Sequence, residues 1–187
     1  NRPLKKTLPF HQYRDFGVEP YQMLIDYVHA RDGALCFWSA AEAEMKMPMG
    51  RVLLHTLPYD DDVLNTTDHN GFAALYADTA TAYHPGKSWD KMLHEYLAGT
   101  RRVRPVIIGE VDFHGDRNID MIVTVVQTPS NDSASILDAL AVGRSYAVGG
   151  EISRYLDLQE ITLSNSDGTG AVSLGDTLDA TSDTVHL

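Results

Sequence analysis

The chain contains one cysteine, few basic side chains and no long apolar run. Cys36 has no second thiol to pair with, and its place in the apolar stretch 34–38 predicts a buried core thiol rather than a nucleophile. No apolar stretch has the length needed to cross a membrane. No targeting signal is recognisable, so the compartment stays open between cytoplasmic and periplasmic or secreted.

Basic residues are the minority among the charges, with 15 Lys and Arg against 26 Asp and Glu and a formal net charge of −11. Phosphate backbones and anionic lipid head groups do not attract an acidic surface. We therefore expect no nucleic-acid partner and no membrane partner.

Length and composition predict a folded core, because 187 residues with 43% hydrophobic and 22% charged side chains are typical of a globular protein. The pattern changes after Gly149 and Gly150, which separates a domain of residues 1–150 from a β-rich extension of residues 151–187. The chain begins at Asn1 and ends at Leu187 within an alternating apolar pattern. We expect it to be a piece of a longer protein.

Helical and apolar β-type segments alternate through the first of these regions, which predicts an α/β fold with a parallel sheet. Residues 64–71 are predicted as a polar turn, and Asn165-Ser166-Asp167-Gly168 predicts a hairpin turn between antiparallel strands of the extension. The predicted helices are 21–31, a segment starting at Ser39, 88–97 and 133–141, and the predicted strands are 34–38, 72–77, 106–108 and 121–126.

Residues 105–116 form the most informative stretch of the sequence. The short apolar run Val106-Ile107-Ile108 is followed by Glu110, Asp112 and His114 in alternation. In an extended strand these three side chains share one face, so they form either a metal-binding corner or an acid/base pair. Polar residues at a solvated strand end are the alternative, which the spacing alone leaves open.

Several segments, in this order, resemble the C-terminal half of the PHP (polymerase and histidinol phosphatase) metallohydrolases, many of them bacterial. The resemblance covers roughly residues 20–150, and the tail resembles the β-rich extension of some bacterial members. The segments are YVHARDG at 27–33, FWS at 37–39, GKSWD at 86–90, GEVDFH at 109–114 and ALAVGRSYA at 139–147.

The resemblance implies a partial distorted β/α barrel that hydrolyses a small phosphorylated substrate with a cluster of two or three divalent metal ions. Asp112 and His114 would be metal ligands, a donor set that suits manganese, zinc or iron. Glu110 would be a carboxylate near the site, and Arg144 would contact the substrate phosphate. Arg101 and Arg102 are predicted to be solvated.

The sequence departs from this family at two points. It contains no His-x-His pair, so ligands are expected from a companion N-terminal segment or a second copy of the chain. Ala40 and Ala41 stand where the family usually has a metal-binding His followed by Pro. A degenerate, non-catalytic barrel that serves as a binding or scaffold domain is therefore the alternative function.

Other polar residues leave further alternatives open. Glu110 and Asp112 are also compatible with a general acid/base pair in an unrelated barrel. His55, Asp68 and His69 imitate metal motifs, but their neighbours predict solvated loop positions.

Overall fold

The computed structural model describes residues 17–76, 81–111, 119, 121–150 and 155–187. These ranges have mixed α/β structure, which confirms the predicted class, and their strands form small sheets without a closed barrel. The helices are α1 (Glu19–His29), α2 (Asp60–Asn65), α3 (Ser88–Leu97) and α4 (Ser133–Val142). The strands are β1 (Phe37–Trp38), β2 (Met45–Met49), β3 (Val52–Thr56), β4 (Gly71–Leu75), β5 (Val106–Gly109), β6 (Ile122–Val126), β7 (Ser145–Gly149), β8 (Ser164–Asn165) and β9 (Val185–His186).

The central element is a parallel sheet with the strand order β1-β4-β5. Its middle strand is buried along almost its whole length, with Phe72, Ala73 and Ala74 at most 1% exposed. Burial on both faces explains why this strand is a continuous apolar run rather than an alternating one.

Gly71 permits the close approach of β4 to β5. Its φ is 139°, and a Cβ atom at this position would lie 1.7 Å from the carbonyl oxygen of Val106. Any side chain would therefore push the two strands apart, since the obstacle is backbone.

The hydrophobic core lies between this sheet and the helices α2 and α3, with Val63, Phe72 and Met92 fully buried. Each such side chain stabilises the fold by roughly 1.5–3 kcal/mol through burial alone. The indole Nε1 of Trp89 donates a hydrogen bond to the carbonyl of Pro105 at 3.1 Å, which fixes α3 against the start of β5.

The predicted helix from Ser39 is wrong, because the chain turns and forms the antiparallel hairpin β2–β3 instead. Ala40 has a φ of 40° and begins a turn closed by the Ala43 N–H to Ala40 carbonyl bond of 2.9 Å. Pro48 would also break a helix interior. Several large apolar side chains of the hairpin are exposed: Met47, Met49, Val52, Leu53 and Leu54.

The second pair of strands, β6 and β7, is antiparallel and connected by α4. Asp132 caps α4 by accepting a 2.9 Å hydrogen bond from the backbone of Ser135, and Gly143 ends it in the left-handed conformation. The helix predicted over 133–141 and the strand predicted over 121–126 are confirmed.

The tail, residues 155–187, contains the predicted turn, since the Gly168 N–H donates to the Asn165 carbonyl at 2.8 Å. Its strands β8 and β9 are only two residues long. Hydrogen bonds connect the tail to the body: the Leu158 N–H donates to the Tyr146 hydroxyl, and Arg104 donates to the Gly175 carbonyl and the Thr177 hydroxyl. Across the described segments, no helix combines the length and apolar character of a membrane span.

Candidate functional site

Three polar side chains follow the three strands of the central sheet, each directly after its strand ends. Ser39 follows β1, Tyr76 follows β4 and Glu110 follows β5. Because the strands are parallel, these residues meet at one edge, where α/β proteins commonly bind ligands. We call this the carboxyl edge of the sheet.

Glu110 is the central carboxylate of the carboxyl edge. Its backbone N–H extends the β4–β5 pairing by donating to the Leu75 carbonyl at 2.9 Å. Its Oε1 accepts a hydrogen bond of 2.5 Å from the Ser39 hydroxyl, whereas its Oε2 is buried and has no hydrogen-bond partner among the described residues. An unpaired buried carboxylate oxygen is costly, so Oε2 is suited to receive a hydrogen-bond donor or a cation.

Two tyrosines stand near this carboxylate. Burial raises the pKa of Tyr59, and the negative charge of Glu110 raises it further. Burial also raises the pKa of Tyr76 to about 12, with a further contribution from Glu42. Both phenols therefore stay neutral at physiological pH, and the Tyr59 hydroxyl donates to the Ser39 carbonyl.

Glu42 connects the carboxyl edge to the loop before α3. Its carboxylate accepts hydrogen bonds from the backbone N–H groups of Thr81 and Ala82 at 2.6 and 2.7 Å, and from the Thr81 hydroxyl at 2.7 Å. Its own backbone N–H donates to the Tyr76 hydroxyl at 3.1 Å. The described contacts of the Glu42 carboxylate all go to this loop, so Glu42 holds the loop beside the carboxyl edge.

A cavity of about 260 Å³ adjoins the carboxyl edge between α1 and β1. Trp38 lines it, with Tyr21 and Tyr59 ring centroids 4.8 and 5.5 Å away. Cys36 also lines the cavity; it is partly rather than fully buried, and burial raises the pKa of its thiol. The predicted position in the core is therefore wrong, since the thiol lines a cavity, although a neutral thiol is a poor nucleophile.

The positions where the resembled family has a His and a Pro are structural. Ala41 is 2% exposed and packs in the core, and its carbonyl accepts a 2.8 Å hydrogen bond from the Tyr59 N–H. Ala40 occupies the turn before it. Neither side chain offers a ligand atom.

The predicted metal ligands Asp112 and His114 lie outside the described residues. Within the described ranges, no group of three or more His, Cys, Asp or Glu side chains is placed to hold a metal ion. Of the predicted site, the structure therefore places Glu110 alone at the carboxyl edge.

Arg144 lies near the opposite end of the sheet from Glu110. Arg144 precedes Ala147 by three residues. Ala147 lies opposite Gly109, since the Ala147 Cβ is 3.5 Å from the position that a Cβ would take at Gly109. Three strand residues span roughly 10 Å. Arg144 is exposed and lies beside Gly175 of the tail, so the structure does not bring these two predicted catalytic residues together.

Arg101 is not solvated, contrary to the sequence prediction. It is 5% exposed and donates to the carbonyls of Thr66 and Leu64, both at 3.1 Å, and to the Glu95 carboxylate at 3.0 Å. Arg102 is exposed as predicted, with a 2.8 Å ion pair to Asp68.

The three residues that imitate metal motifs are also not free loop residues. His55 lies on β3 and pairs with Glu44 at 2.8 Å. Asp68 pairs with Arg102, and its side chain is 23% exposed. His69 is 1% exposed, and its two ring nitrogens lie 3.2 and 3.1 Å from the carbonyl oxygens of Gly71 and Val63.

Comparison of the chain with protein-family models, with curated proteins and with solved structures found no match. The functional argument therefore depends on the geometry of the carboxyl edge and on the sequence motifs.

Proposed function

We propose that the chain is a portion of a metal-dependent hydrolase of the PHP type, acting on a small phosphorylated substrate at the carboxyl edge. The supporting observation is the buried Glu110 Oε2, which lacks a partner among the described residues at the point where three parallel strands end. Asp112 and His114 follow it by two and four residues. The partial β/α barrel belongs to the same proposal.

The donor types of Glu110 and of Asp112 and His114, which follow it in the sequence, suit a divalent metal ion, although they do not complete its ligand set. A transition metal held tightly in a protein has at least three or four ligands. Glu110, Asp112 and His114 would supply carboxylate and imidazole donors, and the remaining ligands would come from a companion segment or a second copy. When bound, manganese, zinc or iron would supply a water molecule activated for attack on the phosphoester.

The surrounding side chains would position this carboxylate. The Ser39 hydroxyl donates a hydrogen bond to Oε1 of Glu110. Oε2 would therefore be the oxygen that contacts a cation or a substrate hydroxyl. Tyr59 and Tyr76 stay neutral and add no negative charge beside it. Arg144 lies near the other end of the sheet, so we leave it out of the proposed site.

Metal analysis of the full-length protein tests the proposal, because the missing ligands are expected outside these 187 residues. We expect Glu110→Gln, Asp112→Ala and His114→Ala each to lower the bound manganese, zinc or iron at least about tenfold, measured by mass spectrometry after dialysis. Asp68→Asn is the matched control, since Asp68 is already paired with Arg102 away from the carboxyl edge. Equal metal content in all four variants would reject the site.

A non-catalytic binding or scaffold domain is the second candidate. It is favoured by Ala40, which begins a turn at the position where the resembled family has a metal-binding His and which offers no ligand atom. If this function is correct, the full-length protein should be folded and free of metal. It should also fail to hydrolyse p-nitrophenyl phosphate when manganese or zinc is added.

A further inference from the structure

The cavity of about 260 Å³ beside the carboxyl edge is lined largely by aromatic rings, and we call it the aromatic cavity. The Trp38 ring centroid lies 4.8 Å from that of Tyr21 and 5.5 Å from that of Tyr59, with interplanar angles of 59° and 40°. Neither tyrosine stacks flat on the indole, so the three rings form inclined walls. The volume lies just below the roughly 300–1,000 Å³ of sites for drug-sized ligands, so it suits a smaller molecule.

A negative charge lies behind this lining. Ser39 lines the cavity, and its hydroxyl donates to the Glu110 carboxylate at 2.5 Å. Burial raises the pKa of Tyr59, and the negative charge of Glu110 raises it further, so the field of this carboxylate reaches a second lining residue. The residues that line the cavity in the described structure carry no charge of their own. The cavity therefore has a negative potential, which favours a cation over an anion.

The chemistry of the lining selects among cations. A primary ammonium group is strongly hydrated, and a wall of rings offers it few acceptors to replace that water. A quaternary ammonium group has methyl groups in place of N–H donors, so it loses less hydration on entering such a cavity, and the negative faces of Trp and Tyr rings attract it. The arginine–ring contacts of the described chain involve Tyr27 and Tyr96, so no arginine there occupies the ring of Trp38 or Tyr59.

We propose that the aromatic cavity binds a small quaternary-ammonium cation of the size of choline, held by the rings of Tyr21, Trp38 and Tyr59. Glu110 supplies the charge that favours a cation, and it acts through space, with Ser39 as its contact to the lining. Burial of the methyl groups against the rings excludes water and adds to the affinity. The proposal needs no metal ion and does not depend on the function proposed at the carboxyl edge.

Ligands of similar size test the proposal, in the presence of a chelator so that no metal ion at Glu110 affects the result. Choline combines a positive charge with methyl groups, whereas 3,3-dimethyl-1-butanol has the same shape without the charge, and ethanolamine has the charge without the methyl groups. In a Trp89→Phe chain, which retains Trp38 as its one tryptophan, we expect choline to change the fluorescence in a saturable way. The two other ligands should bind at least about tenfold more weakly.

Substitution of Tyr21 tests the contribution of the rings. Tyr21→Leu keeps an apolar side chain but removes the ring, so the affinity for choline should fall about five- to tenfold, whereas Tyr21→Phe keeps the ring and should retain the affinity. Tyr27→Leu is the matched control, because Tyr27 lies on the same helix but does not line the cavity, and it should leave the affinity unchanged. A rise in the melting temperature of the unsubstituted chain with choline gives a measurement that needs no variant.

Three results would overturn the proposal. The first is the absence of a saturable fluorescence response and of a thermal shift up to about 50 mM choline. The second is equal affinity for choline and 3,3-dimethyl-1-butanol, which would assign the cavity to an uncharged apolar ligand, or equal affinity for ethanolamine, which would mean that the rings contribute nothing. The third is equal weakening by Tyr21→Leu and Tyr27→Leu, which would show that the loss comes from a change in α1 rather than from the missing ring.

Discussion

The two ends of the β1–β4–β5 sheet differ in the sign of their charges and in how far those charges have partners: the arginines and Glu42 are engaged, whereas Glu110 keeps one oxygen without a partner among the described residues. Arg101, Arg102 and Arg104 precede β5 at the amino end, and each has partners: backbone carbonyls for Arg101, Asp68 for Arg102 and the tail for Arg104. The carboxyl end holds Glu42 and Glu110. Among the described residues, no Lys or Arg forms an ion pair with either.

This difference distinguishes charged groups that stabilise the fold from a group that is available to a ligand. Charges at the amino end are saturated by the fold itself, so removing them mainly destabilises the protein. The carboxyl end retains an oxygen of Glu110 that lacks a partner in the described structure, and such local conflicts are expected where a protein binds or reacts. Substitutions at the two ends should therefore change stability in opposite directions.

The largest effect is expected for Arg101→Ala at the amino end. The substitution leaves the carbonyls of Thr66 and Leu64 without a donor in a buried region, so we expect the free energy of unfolding to fall by about 3 kcal/mol. Urea denaturation measures the change. Arg102→Ala is the matched control: its side chain is 70% exposed, so a loss below about 1 kcal/mol is expected. Equal losses for both variants would contradict the role given to Arg101.

An intermediate effect is expected from pH at the same end. Burial is the main cause that lowers the pKa of His69, and the hydrogen bond to the Val63 carbonyl opposes it. The Arg101 guanidinium lowers the pKa further, against weaker opposing effects of the Gly71 carbonyl and Asp68. The unfolded chain then takes up the proton near pH 6.5 while the folded chain resists it. Stability should thus be complete above about pH 6.5 and fall below it, by at most about 1.4 kcal/mol per pH unit.

Urea denaturation between about pH 7.5 and pH 5.5 checks this expectation, because the range brackets the ordinary histidine pKa. His69→Gln should flatten the pH dependence of the unfolding free energy, because it removes the buried imidazole. A flat profile for the unsubstituted chain would show that protonated His69 is accommodated by its two carbonyl neighbours.

The smallest effect, and one of opposite sign, is expected for Glu110→Gln at the carboxyl end. The amide keeps an oxygen for the Ser39 hydroxyl and removes the negative charge of a half-buried side chain whose Oε2 lacks a partner among the described residues, so we expect a gain of about 0.5–1 kcal/mol in unfolding free energy. Glu160→Gln, on the exposed surface, should not change it. A clear loss of stability in Glu110→Gln would mean that Oε2 already has a partner.

The strands and helices with strong local signals could be predicted from the sequence. The apolar run at β5 and the helix predicted over 133–141 have local signals, and the structure has both where they were expected. The β2–β3 hairpin gave a weaker signal. Its methionines alternate along β2, but Pro48 interrupts that strand, the apolar residues of β3 are consecutive, and many of these side chains are exposed. The positive φ of Ala40, which begins the turn before it, has no mark in the sequence.

Only the part of the site that depends on local sequence rules could be predicted. Glu110 was found because a strand places alternate residues on one face, which is a local rule. Glu42, Tyr59 and Tyr76 were missed, since only the pairing of distant strands brings them to Glu110. Arg101 was misassigned because charged residues in a basic run are usually solvated, and its partners Leu64 and Thr66 lie at least 35 positions earlier in the chain.

The contact between Gly71 and Val106 sets a limit on how this protein can evolve. Backbone, not a movable side chain, occupies the space that a Cβ would need, so no repacking of neighbours can rescue another amino acid at position 71. Homologues that keep this sheet should vary freely at Arg102 and yet keep glycine here. A homologue without that glycine should have a different spacing between these strands, and with it a different carboxyl edge.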